Sequence, residues 1–451
     1  MGRLFGTDGV RGIANKELTC ELALHIGRAT ASVLTDGSRR RPVFVVGTDT
    51  RASSDMLAAA LMAGLCSVGA DVYALGVIPT PAVAYLVGKY KADAGIMISA
   101  SHNPVEYNGI KIFSGDGYKL PDALEEQIEA IVLDHVLIPA VASGDGVGKI
   151  MYPSQAVKDY VDHLKSTVAF SLSGLKIAVD CANGAASETA KKLFSELHAE
   201  CHILFDKPNG VNINDNCGST YMQPLQQYVV ENGLDAGVAF DGDADRCLCV
   251  DNEGNLVDGD RIMAICASDL HSRGKLAKDT VVGTILTNLG FIKFCKDTGL
   301  NFVATKVGDR YVLEEMQLEE YSFGGEQSGH VIFKDFATTG DGQLTAIQLL
   351  SILKRRESKL SDLTHIMTPY PQLMINLKTT AENKLKFYTD KRVKEAIEES
   401  KKVLGDEGRV VVRPSGTEPL IRVMAEGSDL QMIEAEANKI AEVLCKQLGC
   451  E

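Results

Sequence analysis

The 451-residue sequence predicts an α/β protein: three similar mixed α/β domains followed by a smaller α+β C-terminal domain. Three observations carry this expectation. From Pro42 onward, β-branched runs alternate with helical stretches. The alternation recurs three times, in units of about 100 to 150 residues, as a coarse internal repeat. Beyond Pro369-Tyr370-Pro371 the pattern changes.

In chain order, PVFVVGTDT reads as strand and loop, MLAAALMAGLCSVG as helix, and DAGIMISASHNP as strand and loop again. VASGDGVGKI, residues 141–150, has the Gly and Ser content of a linker. A second unit follows, with LKIAVDCANGAAS as strand and loop, ASETAKKLFSEL as helix and LDAGVAFDGDADR as strand and loop. The third contains TVVGTILTN, FVATKVGDR and SFGGEQSGH. In the last domain KRVKEAIEESKKVLG is an amphipathic helix ending at Gly405, GRVVVRPSGTEPLIRVMAEG two strands around a loop, and DLQMIEAEANKIAEVLCKQLG a final helix.

With 45% hydrophobic and 24% charged residues, the chain has ample material for several cores. No apolar run reaches the roughly 18 residues of a membrane helix. The start, MGRLFGTDGVRG, lacks the apolar core of a signal peptide, so a cytoplasmic location is expected. Eleven scattered cysteines fit reduced thiols, and alternation along a strand accounts for Cys247-Leu248-Cys249. A net charge of −14 provides no field for nucleic acid or anionic membrane, so neither is an expected partner. An anionic substrate would need locally concentrated positive groups.

Ligands of open parallel sheets bind where strands end in loops. Ser99-Ala100-Ser101-His102-Asn103-Pro104 follows an apolar run. Asp241-Gly242-Asp243-Ala244-Asp245-Arg246 follows another, and its three carboxylates repel one another unless a hard divalent cation gathers them. An EF-hand would need Gly and Glu where Arg246 and Asn252 stand, which excludes it; a solvated acidic turn stays open. Gly324-Gly325-Glu326-Gln327-Ser328-Gly329-His330 offers acceptors and donors suited to a polyhydroxylated ligand. Arg413-Pro414-Ser415-Gly416-Thr417-Glu418-Pro419, with Arg422 beyond it, has the makings of an anion cradle, and a plain hairpin turn is its alternative. Phe5-Gly6-Thr7-Asp8-Gly9-Val10-Arg11-Gly12 and Gly117-Tyr118-Lys119 add an arginine and a lysine.

In this order, FGTDGVRG, ISASHNP, DGDADR, KVGDRYV, GGEQSGH and RPSGTEPLIRV resemble the α-D-phosphohexomutase superfamily, and each is close to the version found in its bacterial glucosamine-phosphate branch. The resemblance implies four domains around a central cleft, placed at 1–152 (phosphoserine), 153–254 (metal), 255–369 (sugar) and 370–451 (phosphate). It implies that Ser101 carries a phosphoryl group and that Asp241, Asp243 and Asp245 bind one Mg2+ with it. It further implies isomerisation of glucosamine-6-phosphate to glucosamine-1-phosphate on the route to UDP-N-acetylglucosamine. Glucosamine 1,6-bisphosphate would be the intermediate and activator.

A phosphoserine could complete a coordination shell that three aspartates leave open. Glu326 and Ser328 would meet the sugar, and Arg413, Ser415, Gly416, Thr417 and Arg422 the phosphate that is not reacting. Lys119, Arg11 and His330 fall at positions associated with proton transfer, Lys119 serving only if its surroundings depress its pKa. His102 would position the serine loop, and Arg246 would contact the transferring phosphate. The chain departs from glucose- and mannose-type mutases at Val307-Gly308-Asp309-Arg310; an acidic Asp309 would suit a sugar ammonium, unless it pairs with Arg310 or a nearby lysine. A haloacid-dehalogenase-type phosphatase using Asp241 as nucleophile and a non-enzymatic sugar-phosphate sensor are the rival readings. Oligomeric state is open, a homodimer being admitted.

Overall fold

A computed structural model of the chain describes residues 3–6, 8–35, 40–137, 139–415 and 419–450. These form two compact units, Met1–Val282 with Gly308–His365, and Gly283–Val307 with Ile366–Glu451.

The first unit contains a six-stranded sheet in the order Val10–Ile13, Tyr107–Ser114, Ala94–Ile98, Val43–Thr48, Asp71–Val77, Ile150–Met151. Val43–Thr48 runs parallel to both its neighbours, whereas Tyr107–Ser114 is antiparallel to Ala94–Ile98 and to Val10–Ile13. The apolar runs are strands because both faces are covered: Phe44, Ile96 and Ile98 are fully buried with Ile26, Leu57 and Leu61 of the helices Cys20–Leu34 and Ala52–Ser67 on one, and Val45 and Met97 are buried on the other, where the helix Thr80–Tyr90 brings Val83 and Val87. The stretch 141–150, expected as a linker, is mostly irregular and exposed, and it is tied down at its end. Ile150 pairs with Val72 to make an edge strand, and the Gly148 amide donates to Cys66 O at 2.9 Å.

A second sheet follows, ordered Leu256–Val257, Cys247–Asp251, Ala236–Phe240, Lys176–Asp180, Glu200–Leu204. Ala236–Phe240 and Lys176–Asp180 are parallel, so the loops after them leave the same edge. ASETAKKLFSEL, expected as one helix, divides into a 3₁₀ turn, Ala185–Glu188, and a helix, Ala190–Glu196. The turn is drawn aside because the Ala185 amide donates to Gly242 O at 2.8 Å. Further on, Val282 of the strand Thr280–Thr284 pairs parallel with Gly324, and Phe323–Gly325 turns back antiparallel onto Val331–Phe333. All eleven cysteines are free, with Cys247 and Cys249 both buried on their strand.

The second unit is built on an antiparallel sheet ordered Gln372–Lys378, Leu420–Gly427, Gly408–Pro414. The helices Lys391–Leu404 and Leu430–Leu448 bury Val393, Leu404, Ile433, Ile440 and Leu444 against it. Segment 283–307 joins this unit through Glu426, which is fully buried and accepts from the Leu289 amide at 2.9 Å, Gln372 Nε2 at 2.9 Å and Arg409 Nε at 2.7 Å. No helix among the described residues is long and apolar enough to cross a membrane.

Candidate active site

Ser101 follows the wholly buried strand Ala94–Ile98, and Asp241 follows the wholly buried strand Ala236–Phe240. The two loops meet. Ser101 Oγ donates to Asp241 Oδ2 at 2.6 Å. Their approach needs glycine at 242, where a Cβ would stand 2.5 Å from Ser101 O. Ser101 itself takes a left-handed backbone, φ 55°, which few residues with a side chain adopt.

Asp241, Asp243 and Asp245 each turn an oxygen to within 4.8 Å of the others, and all three are buried. Asp243 Oδ2 accepts from Thr80 Oγ1 at 2.7 Å, while Asp243 Oδ1 and Asp245 Oδ1 are buried with no hydrogen-bond donor. Burial, reinforced by Asp245 and Asp243, raises the Asp241 carboxyl well above its ordinary range. Burial also opposes ionisation of Asp245, but Lys111 and His330 outweigh it and hold its pKa well down. Crowded oxygens, two of them lacking donors, suit a hard oxygen-seeking cation.

The positive charge that balances this cluster comes first from Lys111. Its ammonium is buried and lies 2.8 Å from Asp243 Oδ2, 3.1 Å from Asp8 Oδ2 and 3.3 Å from Asp245 Oδ2. Burial lowers the pKa of Lys111, yet Asp243, Asp8 and Asp245 carry it well above its usual value. Neither Lys111 nor Asp8 was singled out from the sequence. The available signal was a lysine inside Ile110-Lys111-Ile112-Phe113, since lysine is almost never fully buried without a partner.

Arg11 donates to Asn103 Oδ1 at 2.9 Å and to Asp8. Lys119 bonds Asp8 and Asp309. The pKa depression that Lys119 would need as a base is absent: burial lowers it, but Asp309 and Asp8 prevail and raise it. Asp309 therefore pairs with a lysine and not with Arg310, which reaches Asp122 and Glu125. His330 is buried, with Nε2 3.5 Å from Asp309 Oδ2 and Nδ1 3.7 Å from Asp245 Oδ1. The Gly340 amide donates into Nε2 at 3.1 Å, so the neutral ring carries its proton at Nδ1, toward Asp245.

His102 Nδ1 lies 3.2 Å from Ser101 Oγ and 3.0 Å from Arg246 Nη1. Burial and the neighbouring Arg246 and Arg11 push His102 down to about 4, leaving a neutral ring that accepts from Arg246. The Arg246 amide donates to Asp241 Oδ1 at 3.2 Å, and its Nε is buried without an acceptor. Glu326 Oε1 accepts from the Gly308 amide at 3.1 Å, and Ser328 is exposed.

Arg413, Ser415 and Arg422 belong to the second unit. Arg413 stands directly opposite Arg422 in the antiparallel ladder, and the Ser415 amide donates to Leu420 O at 2.8 Å. Gly416 and Thr417 lie outside the described residues.

Family models described as phosphoglucomutase/phosphomannomutase, alpha/beta/alpha domains I, II and III, match residues 2–136, 158–254 and 258–370, and the C-terminal domain model of the same family matches 374–443. The phosphoglucosamine mutase of Caldanaerobacter subterraneus subsp. tengcongensis is 56% identical over 449 residues, covering 100% of both chains. That of Acetivibrio thermocellus is 52% identical over 449 residues, again with 100% of both covered. A phosphoglucomutase/phosphomannomutase family protein from Burkholderia thailandensis superposes with a TM-score of 0.83 at 25% identity, covering 98% of this chain and 97% of its own. An Aspergillus fumigatus N-acetylphosphoglucosamine mutase, solved with GlcNAc-6P and magnesium, shares the fold with a TM-score of 0.71 at 16% identity, covering 98% and 95%. The matched models account for the three α/β domains and the C-terminal domain expected from the sequence, and the chain belongs to the phosphoglucomutase/phosphomannomutase family and, within it, to the phosphoglucosamine mutases, which are isomerases.

Proposed function

We propose that the chain interconverts glucosamine-6-phosphate and glucosamine-1-phosphate, with Ser101 carrying the phosphoryl group between them. The observation that carries this is Ser101 Oγ bonded to Asp241 Oδ2 at 2.6 Å, beside two buried carboxylate oxygens that have no donor. Asp241, Asp243, Asp245 and the phosphate on Ser101 would hold Mg2+. When bound, the metal supplies charge neutralisation at the transferring phosphoryl.

In one half of the cycle the P–O bond to Ser101 Oγ breaks and a bond to the sugar O1 forms, while the O1 hydroxyl loses a proton and Ser101 Oγ takes one up. This gives glucosamine 1,6-bisphosphate. After the sugar turns round, the P–O6 bond breaks and the phosphoryl returns to Ser101 Oγ, which gives up its proton as O6 takes one up, so atoms and charge balance in each half. Phosphoryl transfer needs chiefly alignment and charge stabilisation. Arg246 and His102, both against the serine loop, align the phosphoryl, Arg11, Lys119 and Lys111 form the cationic set that neutralises it, and His330 is left as the group that serves the proton. Glu326, Ser328 and Asp309 meet the sugar, while Arg413, Ser415, Gly416, Thr417 and Arg422 hold the idle phosphate. The four-domain division at 152, 254 and 369, cytoplasmic location and a role in UDP-N-acetylglucosamine supply go with this reading.

Phosphorus NMR of the phosphorylated protein with Mg2+ and either glucosamine-6-phosphate or glucose-6-phosphate tests it. Fast formation of the amino sugar 1-phosphate, with glucose slow, is expected. Accumulation of inorganic phosphate would replace the mutase with a hydrolase acting through Asp241.

A further inference from the structure

Arg51 lies outside every motif that the sequence singles out, and its side chain is fully buried. A guanidinium has five N–H donors, and here each meets an acceptor. Nε donates to Asp49 Oδ2 at 2.8 Å. Nη1 donates to Pro104 O at 2.6 Å and Tyr107 O at 3.1 Å, and Nη2 to Asn103 O at 2.8 Å and Ser101 O at 3.0 Å. Four of the five acceptors are thus backbone carbonyls, three in the loop that begins at Ser101 and the fourth at Tyr107, where the next strand starts.

The same loop is tied at two further points. Asp49 Oδ2 accepts from Ser99 Oγ at 2.7 Å, and Ser99 Oγ accepts from the Ser101 amide at 2.9 Å. From the segment that follows the strand Glu200–Leu204 of the second sheet, Asn214 Nδ2 donates to Ser101 O at 3.0 Å, giving that carbonyl a second donor. Arg51 immediately precedes the helix Ala52–Ser67, whose Leu57 and Leu61 sit in the core, so the guanidinium is held from a rigid element.

We propose that Arg51, assisted by Asn214, is the positioning residue of the phosphoryl-carrying serine. By drawing the loop's carbonyls inward it holds Ser101 at its left-handed φ of 55° and keeps Oγ on Asp241, although it touches no reacting atom itself. The inference rests on Ser101 being the phosphoryl carrier. Lysine preserves the charge at this position but has three donors on one nitrogen, so at least two of the five acceptors lose their partner. Small misplacements of a reacting group cost rate far more than they cost substrate binding.

The test compares Ser101→Ala, Arg51→Lys and Asn214→Ala in the full chain. Turnover is normalised to folded, phosphorylated sites, and hydrolysis of preformed phosphoserine is followed without sugar. Arg51→Lys is expected to lower kcat on the order of 10²-fold with KM within about threefold, and to change the phosphoserine hydrolysis rate. Asn214→Ala is expected to move the same quantities in the same direction by less. A residue that served folding alone would reduce the number of competent sites and leave both rates per site unchanged. If both variants keep wild-type kcat per competent site while Ser101→Ala is inactive, the positioning role is overturned. If Ser101→Ala retains turnover, the phosphoserine reading itself falls. Should Arg51→Lys not fold, Asn214→Ala decides alone.

Discussion

The ammonium of Lys111 lies 2.8 Å from Oδ2 of Asp243, although 132 residues separate them in sequence, and neither group is accessible to water. Asp8 and Asp245 complete its surroundings at 3.1 and 3.3 Å. Removing one partner of a buried ionic cluster leaves the others uncompensated, at a cost of about 3–5 kcal/mol. Lys111→Met is therefore expected to lose about that much in urea denaturation, and to lose less with saturating Mg2+, which returns positive charge to the same carboxylates. A variant as stable as the parent without metal would show that the carboxylates are protonated in its place.

The unpartnered oxygens of Asp243 and Asp245 give a second expectation. A ligand at about 100 times its Kd stabilises the folded state by about 2.7 kcal/mol. Mg2+ added to the chelator-treated, unphosphorylated protein should raise Tm, and Asp245→Asn should remove most of that rise. Equal shifts in both proteins would place the cation elsewhere.

Asp341 caps the helix Gly342–Arg356, accepting from the Leu344 amide at 2.9 Å and from Tyr160 Oη at 2.8 Å, and burial raises its carboxyl to about 6. The folded state then holds this proton more tightly than the unfolded chain, where the group titrates near 3.9. The contribution to stability is fully present below about pH 4 and is lost as pH rises to about 6, a change of about 3 kcal/mol. Asparagine can still cap the helix but does not titrate. The stability of the wild type relative to Asp341→Asn should fall between about pH 4 and 6 and be level above. A constant difference across that range would mean that Asp341 ionises at the ordinary pH.

Asp309 bonds Lys119, so the carboxylate proposed for the substrate ammonium already has a cationic partner. An ammonium arriving on the sugar would share or replace that lysine as a charged partner, whereas a sugar hydroxyl would offer only a weaker hydrogen bond without charge. Asp309→Asn is expected to lower the ratio of kcat/KM for glucosamine-6-phosphate over glucose-6-phosphate by about tenfold, about 1.4 kcal/mol. An unchanged ratio would leave Asp309 the single task of holding Lys119.

The sequence by itself determined the alternation of strands and helices from Pro42 onward, the separate character of the C-terminal domain, and the motifs around Ser101 and the three aspartates. Each of these is written locally: β-branched runs bounded by Gly and Pro, amphipathic periods, and polar loops at strand ends. The linker 141–150 is legible in its Gly and Ser content, but the edge strand at its end is not, because a two-residue strand has no periodicity of its own and exists only through its pairing with Val72 and Tyr73. Lys111, Asp8 and Arg51 were decided by the tertiary structure alone. Lys111 reads as one polar position in an apolar strand until the fold brings Asp8, Asp243 and Asp245 to it from two other segments. Lys119 kept its ordinary chemistry out of reach of sequence for the same reason, because the sign of its shift depends on two carboxylates, Asp8 and Asp309, that lie 111 and 190 residues away. Charge balance in a buried cluster is a property of distances across the fold, and those distances follow from how the sheets place their loops.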